Sequence, residues 1–274
     1  MKLAYRDGAF IPFEEATLPL SDALIQRGVG VFDLARSFGP GLVQLTDHMS
    51  RLVKSAQQVS ICVPWTLEEL KALAHYCRSM IDGEALVKIF ISGGDHLGEQ
   101  GFDQPRLFAT VEDLQLPDPS VYEQGVRLCP LHRGRTNAQA KTVDYAASFV
   151  AARLDPGAFE GLYCPDGLIT EAAHSTFFGV KGNCLFTAPD ELVLAGTTRS
   201  QVLTLAQNLG LEVKMQALTL DYVSQLDEAF ITGSVKGVVP VVAIGEQKVG
   251  RALPGERTKK IAAHLRAQMA ALAE

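Results

Sequence analysis

The chain has 274 residues, with 25 Lys and Arg against 31 Asp and Glu, and 47% of its residues are hydrophobic. At about 150 residues per domain that length lies between one and two domains, and it suffices to bury an apolar core without disulfides or metals. A charged fraction of 20% with this apolar content excludes a disordered chain. The net charge of −6 argues against a nucleic-acid or membrane-surface partner, which wants a basic face. A small anionic ligand stays open, because a few local cations suffice to bind a phosphate. The five cysteines (Cys62, Cys77, Cys129, Cys164, Cys184) are odd in number, widely spaced and without a CxxC pair. That argues against a disulfide framework or a zinc site and for a reducing cytoplasm. The first residues have no apolar signal core, and no run reaches about 18 apolar residues, so no membrane span is expected.

Helix and strand signals alternate along the chain. Thr46 precedes Met49, Leu52, Val53, Ala56 and Val59 at helical spacing. Thr66-Leu67-Glu68-Glu69 is a capping box that opens a helix with Leu70, Leu73, Ala74 and Cys77 inward. Residues 86–91 and 106–111 read as strands, the first ended by Gly93-Gly94. Leu116-Pro117-Asp118-Pro119-Ser120 cannot continue a ladder and marks a domain boundary. Beyond it, 126–129, 176–180 and 230–232 read as strands. Thr198-Arg199-Ser200-Gln201 reads as a second capping box, opening a helix through Val202, Leu205, Ala206 and Leu209 with Gly210 just past its end. Ile261, Leu265, Met269 and Leu272 predict a C-terminal helix. The expected organisation is a domain over 1–115, a linker over 116–120 and a second domain over 121–274.

Taken singly, the chemical motifs are modest. Gly28-Val29-Gly30 lacks the third glycine of a dinucleotide loop, and no P-loop, GxSxG or HExxH pattern occurs. Gly233-Ser234-Val235-Lys236-Gly237 is a tight turn of a kind that also suits a phosphate. Ala195-Gly196-Thr197-Thr198 leads into a helix N-terminus with two hydroxyls, a ready anion site whose plain alternative is an ordinary cap. Lys141 stands among small and apolar residues, where partial burial would free its amine to attack a carbonyl. Glu171 is an acid among small residues in Ile169-Thr170-Glu171-Ala172-Ala173.

In order along the chain, Gly28-Val29-Gly30-Val31-Phe32-Asp33, His48-Met49-Ser50-Arg51-Leu52, Lys141, Ile169-Thr170-Glu171, Gly196-Thr197-Thr198-Arg199 and Phe230-Ile231-Thr232-Gly233-Ser234 through Pro240-Val241 form a recognisable set. Together they resemble the class IV, fold type IV, pyridoxal-phosphate-dependent aminotransferases. That family includes branched-chain and D-amino acid aminotransferases and aminodeoxychorismate lyase. The resemblance runs from about residue 7 to about residue 250. It implies an α/β (α+β) fold of two domains, a small α/β domain and a larger pseudo-barrel α/β domain that binds pyridoxal 5′-phosphate, with the cofactor between them. It implies that Lys141 forms the Schiff base and moves protons, that Glu171 pairs with the ring nitrogen, and that Arg51, Thr197, Thr198 and Ser234 hold the phosphate. Tyr145 is implied as a further cofactor contact, and Phe32, Arg36, Lys88 and Val235 as substrate contacts. No metal is implied, and a homodimer is; the cytoplasmic expectation rests on the cysteines.

The sequence departs from the family pattern at two places near the site. Asp33 stands where many relatives have Glu, and Thr176 where they commonly have Asn. The subgroup signals conflict. Lys88-Ile89-Phe90-Ile91-Ser92-Gly93-Gly94 resembles the lyase pattern, whereas branched-chain enzymes favour Tyr-x-Arg where this chain has Leu86-Val87-Lys88. The resemblance implies transfer of an amino group from an α-amino acid (branched-chain or D-, with a primary amine as a further donor class) to a 2-oxo acid. Aminodeoxychorismate lyase is the alternative reaction, and a non-catalytic pyridoxal-phosphate-binding protein a second alternative.

Overall fold

The computed structural model describes residues 2–6 and 8–274, and its chain divides into two compact units. The first takes the chain up to Gln115 together with Ala140–Asp144 and Met269–Glu274; the second takes Leu116–Gln139 and Tyr145–Gln268. This differs from an uninterrupted domain over 121–274, because two later segments return to the first unit.

The first unit contains β1 (Lys2–Arg6), β2 (Ala9–Pro12), α1 (Ala23–Arg27), β3 (Gly30–Phe38), β4 (Gly41–Leu42), α2 (Leu45–Gln58), α3 (Leu67–Arg78), β5 (Ala85–Ser92), a short hairpin of β6 (Leu97–Gly98) and β7 (Gly101–Phe102), and β8 (Arg106–Asp113). Its main sheet runs β2-β1-β8-β5-β3-β4, antiparallel throughout. Side chains on β3 and β5 alternate between its faces. Val31, Ala35, Val87, Ile89 and Ile91 are buried in one cluster with Met49 and Leu52 of α2 and Leu70 and Ala74 of α3. Phe32, Leu34, Arg36, Lys88 and Phe90 alternate with them and stay partly exposed. There Phe32, Phe90 and Phe108 stack across three strands, with ring centroids 5.5 and 5.1 Å apart.

The helix starts are set by local chemistry. At α3 both bonds of the Thr66–Glu69 capping box form. α2 begins at Leu45, one residue before the expected start, with Gln44 as its N-cap. Thr46 lies inside the first turn, where the Glu274 carboxylate accepts from Thr46 N at 3.0 Å and from its hydroxyl. An acid at a helix N-terminus also meets the positive end of the helix dipole. The tail is held there by Leu42 N donating to Glu274 O and Gln44 N donating to Leu272 O. Met269 and Leu272 therefore lie outside the last helix, contrary to the apolar spacing.

The second unit contains α4 (Ser120–Gln124), β9 (Val126–Leu131), α5 (Ala146–Leu154), β10 (Glu160–Tyr163), β11 (Leu168–Ile169), β12 (Glu171–Ala172), β13 (Ser175–Lys181), β14 (Cys184–Thr187), α6 (Thr197–Asn208), β15 (Glu212–Met215), β16 (Leu218–Thr219), β17 (Glu228–Gly233), β18 (Gly237–Ile244), β19 (Gln247–Lys248) and α7 (Glu256–Gln268). The sheet order is β12-β10-β9-β18-β17-β13-β14-β15, and β12 pairs with β13 as well as with β10. Six strands thus close on themselves as a small barrel. Leu128, Leu162, Ala172, Phe177, Ile231 and Val239 share one buried cluster. The alternate residues Phe178, Phe230 and Val238 pack instead with Val202 and Leu205 of α6 and Ile261 and Leu265 of α7. Cys129, Leu131 and Tyr163 pack with Ala147 and Ala151 of α5.

α6 begins at Thr197 with Gly196 as N-cap, so the expected capping box at Thr198 does not form. Thr198 lies inside the first turn, and the residue at the cap has no side chain.

Phe178 and Phe230 are register partners, fully buried and stacked at 4.9 Å. Phe230→Ala is expected to lower stability by about 3–5 kcal/mol, by lost transfer energy and the cavity left behind. Chemical denaturation measures this, and a loss below about 1 kcal/mol would contradict the packing described.

Candidate functional site

In the first unit, the segment 140–144 lies along β3. Lys141 O accepts from Phe32 N at 3.0 Å, and Val143 N donates to Gly30 O at 3.2 Å. Thr142 bridges Val31 between them. On the other side, Lys141 N donates to Ser55 Oγ of α2 at 3.0 Å. The Lys141 backbone is thereby fixed by two elements. Its Nζ sits 4.7 Å from the centroid of the Phe32 ring, a cation–π distance. Ala140 and Thr142 are buried beside it, and Lys141 itself is partly buried.

Helix α2 and strand β3 also bring Arg51, His48 and Asp33 together. The fully buried Asp33 carboxylate accepts from Arg51 Nε and Nη2, each at 2.8 Å, and contacts His48 Nδ1 at 2.8 Å. It also accepts from Leu34 N. Arg51 falls outside the apolar stripe of its helix, where a solvated surface residue is expected, yet it is buried. Its charge is tolerated there because a bidentate partner and further hydrogen bonds offset desolvation. Burial pushes the Asp33 carboxyl up, but Arg51 and His48 together hold it well below the usual carboxylate range. Burial, with help from Arg51 and Lys141, pulls His48 below its ordinary value despite Asp33. His48 is therefore neutral near pH 7, and hydrogen-bond matching assigns its proton to Nδ1, which donates to the carboxylate.

The two other cations expected at the site have partners. Lys88 Nζ lies 2.6 Å from Glu112, so its charge is already matched, and Lys2 contacts the same carboxylate. Arg36 Nε donates to Ser37 O at 3.3 Å.

In the second unit, Glu171 is buried on β12. Its carboxylate accepts from Arg135 Nε at 2.8 Å and from Leu194 N at 3.1 Å. Arg135 is itself largely buried and also donates to Ala138 O. The sequence reading missed it, since an arginine in an irregular loop carries no periodic signal. Thr197 Oγ1, at the start of α6, lies 3.4 Å from Ser234 Oγ in the turn between β17 and β18. Thr198 is buried next to Thr197, and Val235 follows Ser234 in the same turn. A Cβ at Gly196 would lie 3.0 Å from Thr176 Oγ1, so Thr176 backs this glycine. Thr232, the register partner of Thr176, has a buried hydroxyl with no hydrogen-bond partner. Tyr145 is the N-cap residue of α5, and its ring stacks on His174 at 4.9 Å.

The unit therefore offers a buried carboxylate, a cluster of hydroxyls at a helix N-terminus and an orphaned hydroxyl beside them. Such a set suits a ligand with an anionic group at one end and a protonated ring at the other. Among the described residues no group of three or more side chains could hold a metal ion, and no helix is long and apolar enough to cross a membrane.

Comparison with known proteins places the chain among relatives over nearly its whole length. The family model for amino-transferase class IV matches residues 30–244. The chain is 27% identical over 268 residues to the D-alanine aminotransferase of Bacillus licheniformis, covering 95% of this chain and 94% of that one. It superposes on the crystal structure of Escherichia coli branched-chain amino acid aminotransferase with a TM-score of 0.86 at 25% identity, covering 99% and 96% of the two chains. The T.th. branched-chain amino acid aminotransferase, solved with pyridoxamine 5′-phosphate, matches in fold with a TM-score of 0.87 at 24% identity over 98% and 94%.

The lowered His48 pKa has a consequence for stability. On acidification the unfolded chain protonates this histidine near its ordinary value of 6.5, whereas the folded chain resists. The contribution is complete above about pH 6.5 and is lost as pH falls below it. The lowered Asp33 pKa acts in the same direction at lower pH, below the usual aspartate range. The melting temperature is expected to fall between about pH 7 and about pH 5, and His48→Gln, which keeps a donor for Asp33, is expected to flatten that fall. Equal slopes for the two proteins would contradict the assignment.

Proposed function

The chain belongs to the class IV aminotransferase family, and we propose that it moves an amino group from an α-amino acid to a 2-oxo acid with pyridoxal 5′-phosphate held on Lys141. The observation that carries this reading is the fixing of the Lys141 backbone between β3 and α2, with its amine over the Phe32 ring.

The residues present fit the cofactor. An aldehyde requires a primary amine, which Lys141 supplies. A phosphate requires donors and positive charge; Thr197, Thr198 and Ser234 are assigned as donors and Arg51 as the charge, and the unpartnered Thr232 hydroxyl supports a polar ligand in the second unit. A pyridinium nitrogen requires an anion, assigned to Glu171. When bound, the cofactor supplies the sink for the electron pair released at the substrate Cα.

The remaining work falls to the chain. Released by the incoming substrate amine, Lys141 Nζ would take the proton from the substrate Cα as general base and hand it, as general acid, to the former aldehyde carbon of the cofactor. The Phe32 ring lies against that amine. Arg135 and Leu194 N fix the Glu171 carboxylate, so its charge stays at one place. Asp33 fixes the plane of the Arg51 guanidinium. Tyr145 is assigned to the cofactor ring, and Phe32 and Val235 to the substrate side chain. Arg36 is assigned to the substrate carboxylate; Lys88 takes part only by giving up Glu112. The Phe32–Phe90–Phe108 row supports an apolar donor side chain.

A homodimer is supported by α5, on which Phe149 (78% exposed) and Leu154 (64%) are left uncovered. Five free cysteines support a reducing compartment.

The reaction is tested by presenting the loaded protein with both enantiomers of alanine, glutamate and leucine. One donor is expected to convert the cofactor to its amine form, with recovery only on addition of a 2-oxo acid. Lys141→Ala is expected to lower this conversion by about 10²–10⁴-fold. Pyruvate release from aminodeoxychorismate without any acceptor would instead establish the lyase reaction.

A further inference from the structure

Glu160, at the start of β10, lies beneath two turns of the barrel. Lys236, in the turn between β17 and β18, places Nζ 2.7 Å from Glu160 Oε2 and 2.9 Å from Ser175 Oγ. Ser175 Oγ donates to the same carboxylate at 2.9 Å. The other carboxylate oxygen accepts from His174 N. The pair is well shielded, with 3% of the Glu160 side chain and 14% of the Lys236 side chain exposed. Burial pushes the Glu160 carboxyl up, but Lys236 and His174 outweigh this and hold it below its ordinary value.

The two turns carry different parts of the site. Ala173 and His174 form the bend of the β12–β13 hairpin, whose first strand carries Glu171. Lys236 shares its turn with Ser234 and Val235. The turns approach closely: a Cβ at Gly233 would lie 3.3 Å from His174 O. Tyr122 holds the Lys236 turn from outside, its hydroxyl donating to Lys236 O at 2.9 Å. A buried ion pair gains little net stability over apolar residues of the same shape, but it fixes geometry strongly, since breaking it leaves an uncompensated charge.

We infer that Glu160 and Lys236 are positioning residues that set the spacing between Glu171, at the ring-nitrogen end of the cofactor cradle, and Ser234, at its phosphate end. Neither touches the reacting atoms. The inference rests on the cofactor reading above and deepens it: a ligand that engages both ends senses this spacing, whereas one that engages only the ring end does not.

Pyridoxal 5′-phosphate and unphosphorylated pyridoxal separate these cases. In absorbance titrations of the cofactor-free protein, Lys236→Met is expected to raise the dissociation constant for pyridoxal 5′-phosphate at least tenfold and that for pyridoxal less than threefold. Lys236→Arg, which can keep the ion pair, is expected to restore phosphate-dependent binding to within threefold of wild type. Should Lys236→Met fail to fold around an unpaired carboxylate, the double variant Glu160→Gln/Lys236→Met removes both charges and is expected to fold with the same selective loss. Unchanged binding of pyridoxal 5′-phosphate, equal losses for both ligands, or failure of Lys236→Arg to restore binding would each overturn the inference. Wild type that binds neither ligand would overturn the cofactor assignment, and this inference with it.

Discussion

Backbone bonds hang residues 140–144 on the start of β3, and the proposed chemistry depends on this constraint. A lysine on a loose loop is a solvated cation with several rotamers to lose on ordering. Here the donor from Phe32, the acceptor at Gly30 and the hydroxyl of Ser55 fix the main chain on both sides of Lys141. Only the side chain is left to move, and it starts from above an aromatic ring. The same strand that receives this segment supplies Phe32 and Asp33 from successive positions. One of them faces the amine, and the other turns into the core to hold Arg51.

A second regularity is that each buried carboxylate near the proposed site has a cation on it. Asp33 has Arg51, Glu171 has Arg135, and Glu160 has Lys236. These groups serve orientation more than stability, because desolvation consumes most of the Coulombic gain. Each removes the freedom of a charged group that must face a ligand in one direction. The overall charge of −6 describes the solvated surface, whereas the proposed chemistry depends on a few cations held inside.

The sequence was most informative where local chemistry decides. The Thr66 capping box, the inward face of α3 and the strand over 86–91 follow from neighbours in the chain, and the structure has them. It was least informative where distant segments decide. Thr46 lies inside the first turn of α2 with Glu274 on its N–H, and Met269 and Leu272 leave the last helix because the tail pairs with Leu42 and Gln44. Arg51 looked solvated because its partner lies on a strand eighteen residues away. Arg135 and Glu160 gave no signal, since a charged residue in a loop or at a strand end looks the same whether it is solvated or buried against a partner. The family motifs located Lys141 and Glu171 in the chain, while the residues that hold Glu171 in place became visible only with the fold.

The role of Lys141 is tested by loading the protein with pyridoxal 5′-phosphate, reducing it with sodium borohydride and mapping the product by peptide mass spectrometry. One phosphopyridoxyl group is expected, on the peptide that contains Lys141. A group fixed on another lysine, such as Lys88 or Lys236, or no group at all, would contradict it.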